Sequence, residues 1–267
     1  DELWDTINLR NDVQHYQDGL FVRDIPTFNE EVIREAVLNA VSHRDYRLGG
    51  SVFVRQFPKK IEIVSPGGLP AGVTVENILW RQSSRNRKIA EALAKCGLIE
   101  RSGQGANRMF ENSIRESKPV PDFSGTDEFQ VFVTLKGEVQ DPLFLKFFEE
   151  VNRTTQVSLG MRDLLVLDKI RRDEKLPQDL RDRLAFLKDR GIIEIVGRGR
   201  GIRHILSRRF YKFVGEKGVY TRKLGLDRET NKALVLKHLD HFDQAKIKDL
   251  EAVLPALSRG KIHTLLR

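Results

Sequence analysis

The 267-residue chain has a single cysteine, Cys96. One thiol excludes a disulfide within the chain and any metal site built on clustered cysteines. Long apolar runs are also missing, and none approaches the ~18 residues that cross a bilayer. Residues 1–10 mix charges with Trp4 and Ile7. They lack the basic start and apolar core of a secretory signal. The expected location is the cytoplasm. No GxxxxGK followed by Ser or Thr occurs, so P-loop chemistry is absent. His43-Arg44-Asp45 has the letters that open a kinase catalytic loop, but no Asn stands five residues after Asp45 and no Asp-Phe-Gly follows. There is no repeat of solenoid length and no low-complexity tract. The chain starts with Asp rather than Met, which suggests a piece of a longer protein.

Apolar residues make up 40% of the chain and charged residues 31%, enough for a core and too apolar for a disordered chain. The formal net charge is +8, and it is unevenly placed. Residues 1–140 hold 18 Lys+Arg against 20 Asp+Glu, whereas residues 141–267 hold 28 against 18. The basic excess therefore belongs to the C-terminal half.

Periodicity predicts a helix over 29–42, with Thr27 or Asn29 as its cap. Alternation over 51–57 and 60–64 around Pro58-Lys59-Lys60 reads as a β-hairpin. Residues 74–79 read as a short helix or turn, 85–96 as a helix stopped by Gly97, and 103–117 as a helix entered through a glycine loop. A strand is expected over 129–135. This mixture is α+β, one layer of helices on a largely antiparallel sheet. Cys96, on an Ala/Leu-rich helix, reads as a small core residue. Beyond Gly137, helices are expected over 143–152, 164–171 and 178–189. Two β-rich arms at 192–196 and 202–207 flank Gly197-Arg-Gly-Arg-Gly201, the layout of a winged helix. Three further helices are expected over 229–241, 246–253 and 258–266.

Glu35 and Asn39 are four apart and share one helical face, where a carboxylate and an amide can hold a hydrated metal and orient water. That spacing occurs on many helices, and its neighbours give it weight. Ser65-Pro-Gly-Gly-Leu-Pro70 follows a strand, and Ser102-Gly-Gln-Gly-Ala106 opens a helix. Glycines before a helix start expose backbone N–H groups toward an anion. A plain turn explains the same letters.

The strings Arg34-Glu-Ala-Val-Leu-Asn-Ala-Val-Ser-His-Arg-Asp-Tyr46, Ile61-Glu-Ile-Val-Ser-Pro-Gly-Gly-Leu-Pro70, Arg85-Asn86 and Ile99-Glu-Arg-Ser-Gly-Gln-Gly-Ala-Asn-Arg-Met109 occur in order. Together they resemble the RecG-related ATP-binding domain of helix-turn-helix transcriptional regulators. That domain is similar to the Bergerat (GHKL) ATPases such as gyrase B, MutL and histidine kinases. The resemblance covers about residues 5–137 and implies a GHKL-like sandwich that takes ATP and Mg2+. It also implies an AlbA-like, Schlafen-type domain upstream in full-length members. By the resemblance Glu35 is the general base and Asn39 the Mg2+ ligand. Gly67 and Gly68 form the first glycine box, and Gly103 and Gly105 the second. Arg85 and Asn86 lie in the lid region near the phosphates. One position departs. The ATPases hold the adenine amino group with an Asp where this chain has Ser65, which brings no charge. Losing a buried base-reading partner typically costs about 1–3 kcal/mol. His43-Arg44-Asp45 recurs after the glutamate helix in this family, and serves packing as readily as chemistry.

The C-terminal half carries the basic residues expected to meet double-stranded DNA. Arg181, Arg183 and Lys188 lie on the charged side of the expected recognition helix, with Leu180, Leu184 and Leu187 inward. Arg198 and Arg200 sit among the wing glycines, and Arg203, Arg208 and Arg209 follow. No acidic residue occurs from 195 to 214. Arg259 and Lys261 occupy a last helix. A solvated basic face is the plainer alternative, and winged helices also bind proteins. The expected organisation is a GHKL-like domain at 1–137, a linker helix at 138–160, a winged helix at 161–219, and a second, incomplete one at 220–267. The expected function is a nucleotide-responsive DNA-binding regulator, with a homodimer as a further expectation. The alternatives are a GHKL-type ATPase in a DNA transaction and a scaffold with a dead pocket.

Overall fold

The computed structural model describes residues 2–18, 21–81, 83–99, 105–155, 157–196, 202–213, 228–242, 244–254 and 257–266. The chain divides into two compact units, Asp1–Leu187 and Lys188–Arg267. The charge divides with them. Residues 188–267 hold 19 Lys+Arg against 9 Asp+Glu, a net of +10, and the first unit is left at −2. Among the described residues no helix is long and apolar enough to cross a membrane.

The first unit opens with helix α1 (Glu2–Asn8) and a hairpin of β1 (Val13–Asp18) and β2 (Phe21–Pro26). Helix α2 (Glu30–His43) follows, and Asn29 caps it by accepting a hydrogen bond from Val32 N at 3.2 Å. Its apolar face buries Val32, Ile33, Ala36 and Ala40. Strands β3 (Phe53–Phe57), β4 (Lys60–Pro66) and β5 (Gln130–Lys136) make an antiparallel sheet in the order β3-β4-β5. Opposed pairs share a face, so Ile61 with Leu135 and Ile63 with Val133 build one buried layer. Helix α2 packs on β4 and on α4 (Gly105–Arg115). Between β4 and α4 lies α3 (Arg87–Lys95), which buries no residue. It ends in a Schellman motif: Gly97 at φ 69° donates to Ala94 O and Leu98 N donates to Leu93 O. Because α3 lies on the surface, Cys96 is exposed, which corrects its reading as a core residue.

Helix α5 (Pro142–Thr155) buries Phe144, Leu145, Phe147, Phe148 and Val151. The three Phe rings pack with centroids 4.6–5.6 Å apart. Helix α6 (Met161–Arg171) packs on α4, and Arg115 of α4 donates to Leu159 O at 3.0 Å. The single helix expected over 178–189 is divided into a 3-10 turn, Gln178–Leu180, and helix α7 (Arg183–Asp189). The cause is local. Asp179 O accepts from the Arg162 guanidinium instead of from the amide four residues on. Residues 74–79 form successive turns rather than a helix.

The second unit holds a hairpin of β6 (Ile193–Val196) and β7 (Arg203–Leu206), in register from Ile193–Leu206 to Val196–Arg203. Helix α8 (Arg208–Phe213) follows, its first turn tied back where Glu194 accepts from Arg208 N. Helices α9 (Arg228–Phe242), α10 (Ile247–Val253) and α11 (Arg259–Leu265) enclose a small core of Val235, Leu250, Leu254 and Ile262. The architecture is thus α+β with small antiparallel sheets.

Phe144 is fully buried, and the Arg171 guanidinium lies 4.6 Å from its ring centroid. Phe144→Ala removes both contacts and is expected to cost about 3–5 kcal/mol, read as a lower urea midpoint.

Candidate functional site

The end of α2 carries the polar residues of the first unit's candidate site. A helix leaves its last carbonyls without intrahelical partners. Here side chains supply them. Ser65 Oγ on β4 donates to Ala40 O at 2.8 Å, and Tyr46 Oη donates to Val41 O at 3.0 Å. Asn86 Nδ2 donates to Ser42 O at 2.9 Å and Arg44 O at 2.7 Å. Asp45 N then donates to Pro66 O at 2.8 Å, which fastens the helix end to the strand end.

Gly67, at φ 90°, turns the chain after β4. A Cβ there would stand 2.3 Å from Arg85 Nη1 and 2.5 Å from Asp45 Cβ, so only glycine fits. Arg85 reaches across this loop, donating from Nη2 to Gly68 O at 2.7 Å, with Nη1 3.4 Å from Asp45 Oδ2. Arg85 Nη1 is buried and has no hydrogen bond among the described residues. Asp45 is buried and accepts from Arg47 N, Nε and Nη2. Hydrogen bonds from Arg47, helped by the Arg85 charge, hold its carboxyl far below the usual carboxylate range. Burial, then the Arg85 charge, pushes the His43 imidazole below its ordinary 6.5, so it is neutral at neutral pH. His43 and Asp45 therefore belong to a packed junction.

Glu35 and Asn39 are both half-buried on α2, and Asn39 Nδ2 donates to Glu35 Oε1 at 3.2 Å. The two are adjacent, as the spacing requires. Helix α4 begins at Gly105, while Gly103 lies outside the described residues. Ser65 is 3% exposed and its hydroxyl proton is committed to Ala40 O. Arg85 and Asn86, assigned to phosphates by the resemblance, bind backbone carbonyls in this structure. In the sequence Asp45 reads only as part of the His43-Arg44-Asp45 string, open to packing or to chemistry. Its presence in the His-Arg-Asp string was the available signal, but its long-range partner Arg85 was not visible there. Among the described residues no group of three or more His, Cys, Asp or Glu could hold a metal ion.

The basic residues fall in several places. Arg181 at the 3-10 turn and Lys188 on α7 are exposed. Arg183 is not free: it grips buried Asp163 through Nε at 2.8 Å and Nη2 at 3.2 Å. Arg203 on β7 and Arg208 and Arg209 on α8 are exposed, as are Arg259 and Lys261 on α11. Arg198 and Arg200 lie outside the described residues.

The lowered His43 pKa has a sign. The unfolded chain binds the proton more readily, so stability is lost as pH falls through the ordinary His value of 6.5. His43→Gln is expected to flatten that limb of a pH series of urea midpoints between neutrality and about pH 5. Ser65→Ala should cost about 1 kcal/mol in the same unfolding experiment, by orphaning Ala40 O.

Residues 49–135 match the family model described as "Putative ATP-dependent DNA helicase recG C-terminal". No curated protein matches the chain. Among solved structures the chain is similar to the crystal structure of the DIP2311 protein from Corynebacterium diphtheriae, at 21% identity and a TM-score of 0.64. That likeness covers 80% of this chain and 46% of the other, so the chain spans less than half of that protein's length. At this identity the likeness is one of fold. Residues 49–135 thus carry a RecG-related, ATPase-like segment within an α+β chain.

Proposed function

We propose that the chain is a nucleotide-responsive DNA-binding protein acting in transcriptional regulation. Its ATPase-like part is residues 1–137, followed by a linker helix at 138–160. Winged helices at 161–219 and 220–267 face DNA. One observation carries the reading. The net +10 lies wholly on residues 188–267, with Arg203, Arg208, Arg209, Arg259 and Lys261 exposed on a hairpin and helices of a chain that also carries an ATPase-like segment. Exposed cations on such elements match phosphate contacts.

The residues fit a nucleotide at one end. Asn39 Oδ1 makes no hydrogen bond among the described residues and suits Mg2+, and Glu35 stands beside it. The start of α4 at Gly105 presents backbone amides and a positive dipole end to an anion. Mg2+ would supply counter-charge for the phosphates. At the base end Ser65 offers lone pairs but no charge, and Arg85 fills the room beside Gly67. On this reading Glu35 accepts the proton from water, so ATP turnover lost in Glu35→Ala would favour the ATPase reading. A scaffold with a dead pocket is favoured by the same Ser65 and Arg85 contacts.

Asn39→Ala is expected to abolish Mg-ATP binding measured by calorimetry, and unchanged binding sinks the site assignment. Arg208→Glu with Arg209→Glu is expected to lower the slope of log affinity against log salt by about 2 in mobility-shift titrations with duplex DNA. Failure of the parent chain to bind DNA at low salt would favour the scaffold.

A further inference from the structure

We propose that the outer face of the three-stranded sheet is a stacking platform for single-stranded DNA, with Phe53, Arg55 and Phe57 as its contact residues. The inference concerns a different surface from the nucleotide and duplex reading and does not rest on it. Successive side chains of a strand point to opposite faces of the sheet. Ile61, Ile63, Val133 and Leu135 share the face toward α2 and are buried. Phe53, Arg55 and Phe57 of β3 lie on the other face, opposite Val64, Glu62 and Lys60 of β4. All three β3 residues are exposed, Phe53 at 52% and Phe57 at 39%.

The same face is closed along β5. The turn at Gly125 lies against the Phe132 ring, so near that a Cβ there would stand 2.9 Å from its Cδ1. Thr126 pins that turn, its Oγ1 donating to Phe132 O at 3.1 Å and accepting from Phe132 N at 3.0 Å. The exposed aromatic strip is therefore confined to β3.

Charge selects what covers it. The Arg55 guanidinium lies 5.7 Å from the Phe53 ring centroid, and Lys60 Nζ lies 4.7 Å from that of Phe57. Lys60 is paired with Glu62 at 2.6 Å, whereas Arg55 makes no ion pair among the described residues. An uncompensated cation thus sits midway between two open rings. Side chains on one face recur about every 6.6 Å along a strand, so ring, guanidinium and ring follow at even steps. Bases of an extended single strand stack on aromatic rings and on guanidinium planes, while cations meet the phosphates. A second copy fits less well: β3 paired antiparallel with itself about its midpoint sets Arg55 against Arg55. Reading RNA requires a partner for the 2′-hydroxyl, and Glu62, the carboxylate of this face, is engaged by Lys60. The first unit carries a net −2, so stacking and contact charge hold the strand there, not a long-range field.

The test uses the full chain and a short fluorescent oligothymidylate, read by anisotropy. Phe53→Ala and Phe57→Ala are each expected to lower its affinity at least about fivefold, with the urea midpoint retained because both rings are exposed. Phe53→Leu keeps apolar bulk without a ring and is expected to lose affinity as the alanine variant does, whereas Phe53→Tyr is expected to keep it. An oligothymidylate carrying 5-iodouracil is expected to photo-crosslink to the peptide that spans β3. Single-strand affinity unchanged in both alanine variants, or retained in Phe53→Leu, overturns the platform. Crosslinks confined to residues 188–267 overturn it as well, since the strand then sits on the basic unit. Tighter binding of oligouridylate than of oligothymidylate overturns the assignment to DNA. Variants that dissociate a dimer while leaving single-strand affinity unchanged give the face to a second copy and overturn the proposal.

Discussion

The first unit depends on how the carbonyls at the end of α2 are satisfied. That helix ends against β4, where the Ser65 hydroxyl meets Ala40 O in a buried contact. Ser65, Tyr46 and Asn86 serve its last turn, each from a different part of the chain. An unpaired buried carbonyl costs about 1–3 kcal/mol, so these side chains are held to their positions. Their grip fixes the helix that carries Glu35 and Asn39 against β4, and it brings the segment after β4 back onto the helix. The glycine loop at 67–68 and Arg85 take their places from the same junction.

On the proposed reading the junction also limits which nucleotide the first unit can recognise. A position that staples a helix to a strand is poorly free to read a base. Ser65 is the smallest side chain that can make the staple while keeping acceptor capacity. Arg85 has a comparable double character. Its guanidinium holds Gly68 O, but Nη1 faces Asp45 at 3.4 Å without a hydrogen bond. A cation held imperfectly beside a glycine loop can exchange one oxygen partner for another. Arg85 therefore fills the space beside Gly67 and, on the proposed reading, is also the group through which an anion would be felt.

Much of the fold was legible because its signals are local. The apolar stripe of α2, its Asn29 cap, the hairpin about Pro58 and the Gly97 stop each lie within a few residues of their cause. The hairpin at β1 and β2 was missed because its partly exposed, polar strands show no clean alternation. Helix α8 was missed because Arg208, Arg209 and Lys212 read as a basic run while Phe210 and Tyr211 were its buried face. The break in the helix over 178–189 was invisible because Arg162, seventeen residues earlier, causes it. The Glu35–Asn39 adjacency was readable from spacing alone. The engagement of Arg85, Asn86 and Arg183 was not, since each partner lies twenty or more residues away or, for Arg85, also across the turn at Gly68.

On the proposed reading the chain meets two anionic ligands, and it is built to meet them by different physics. The first unit has a net charge of −2, so no long-range field gathers a nucleotide there. Binding must come from oriented groups at contact distance: the amides at the start of α4, the Asn39 oxygen and the Arg85 guanidinium. Such contacts are weakly screened by salt when they are partly buried. The second unit, at +10, attracts a polyanion before contact and releases counterions on binding, and that interaction weakens steeply with salt. Keeping the excess positive charge out of the first unit has a further consequence. A strongly basic surface beside Gly67 would draw DNA phosphates to the glycine loop and compete with the smaller ligand. On that reading the near-neutral first unit favours a ligand recognised by shape and hydrogen bonding, while the basic unit takes the duplex.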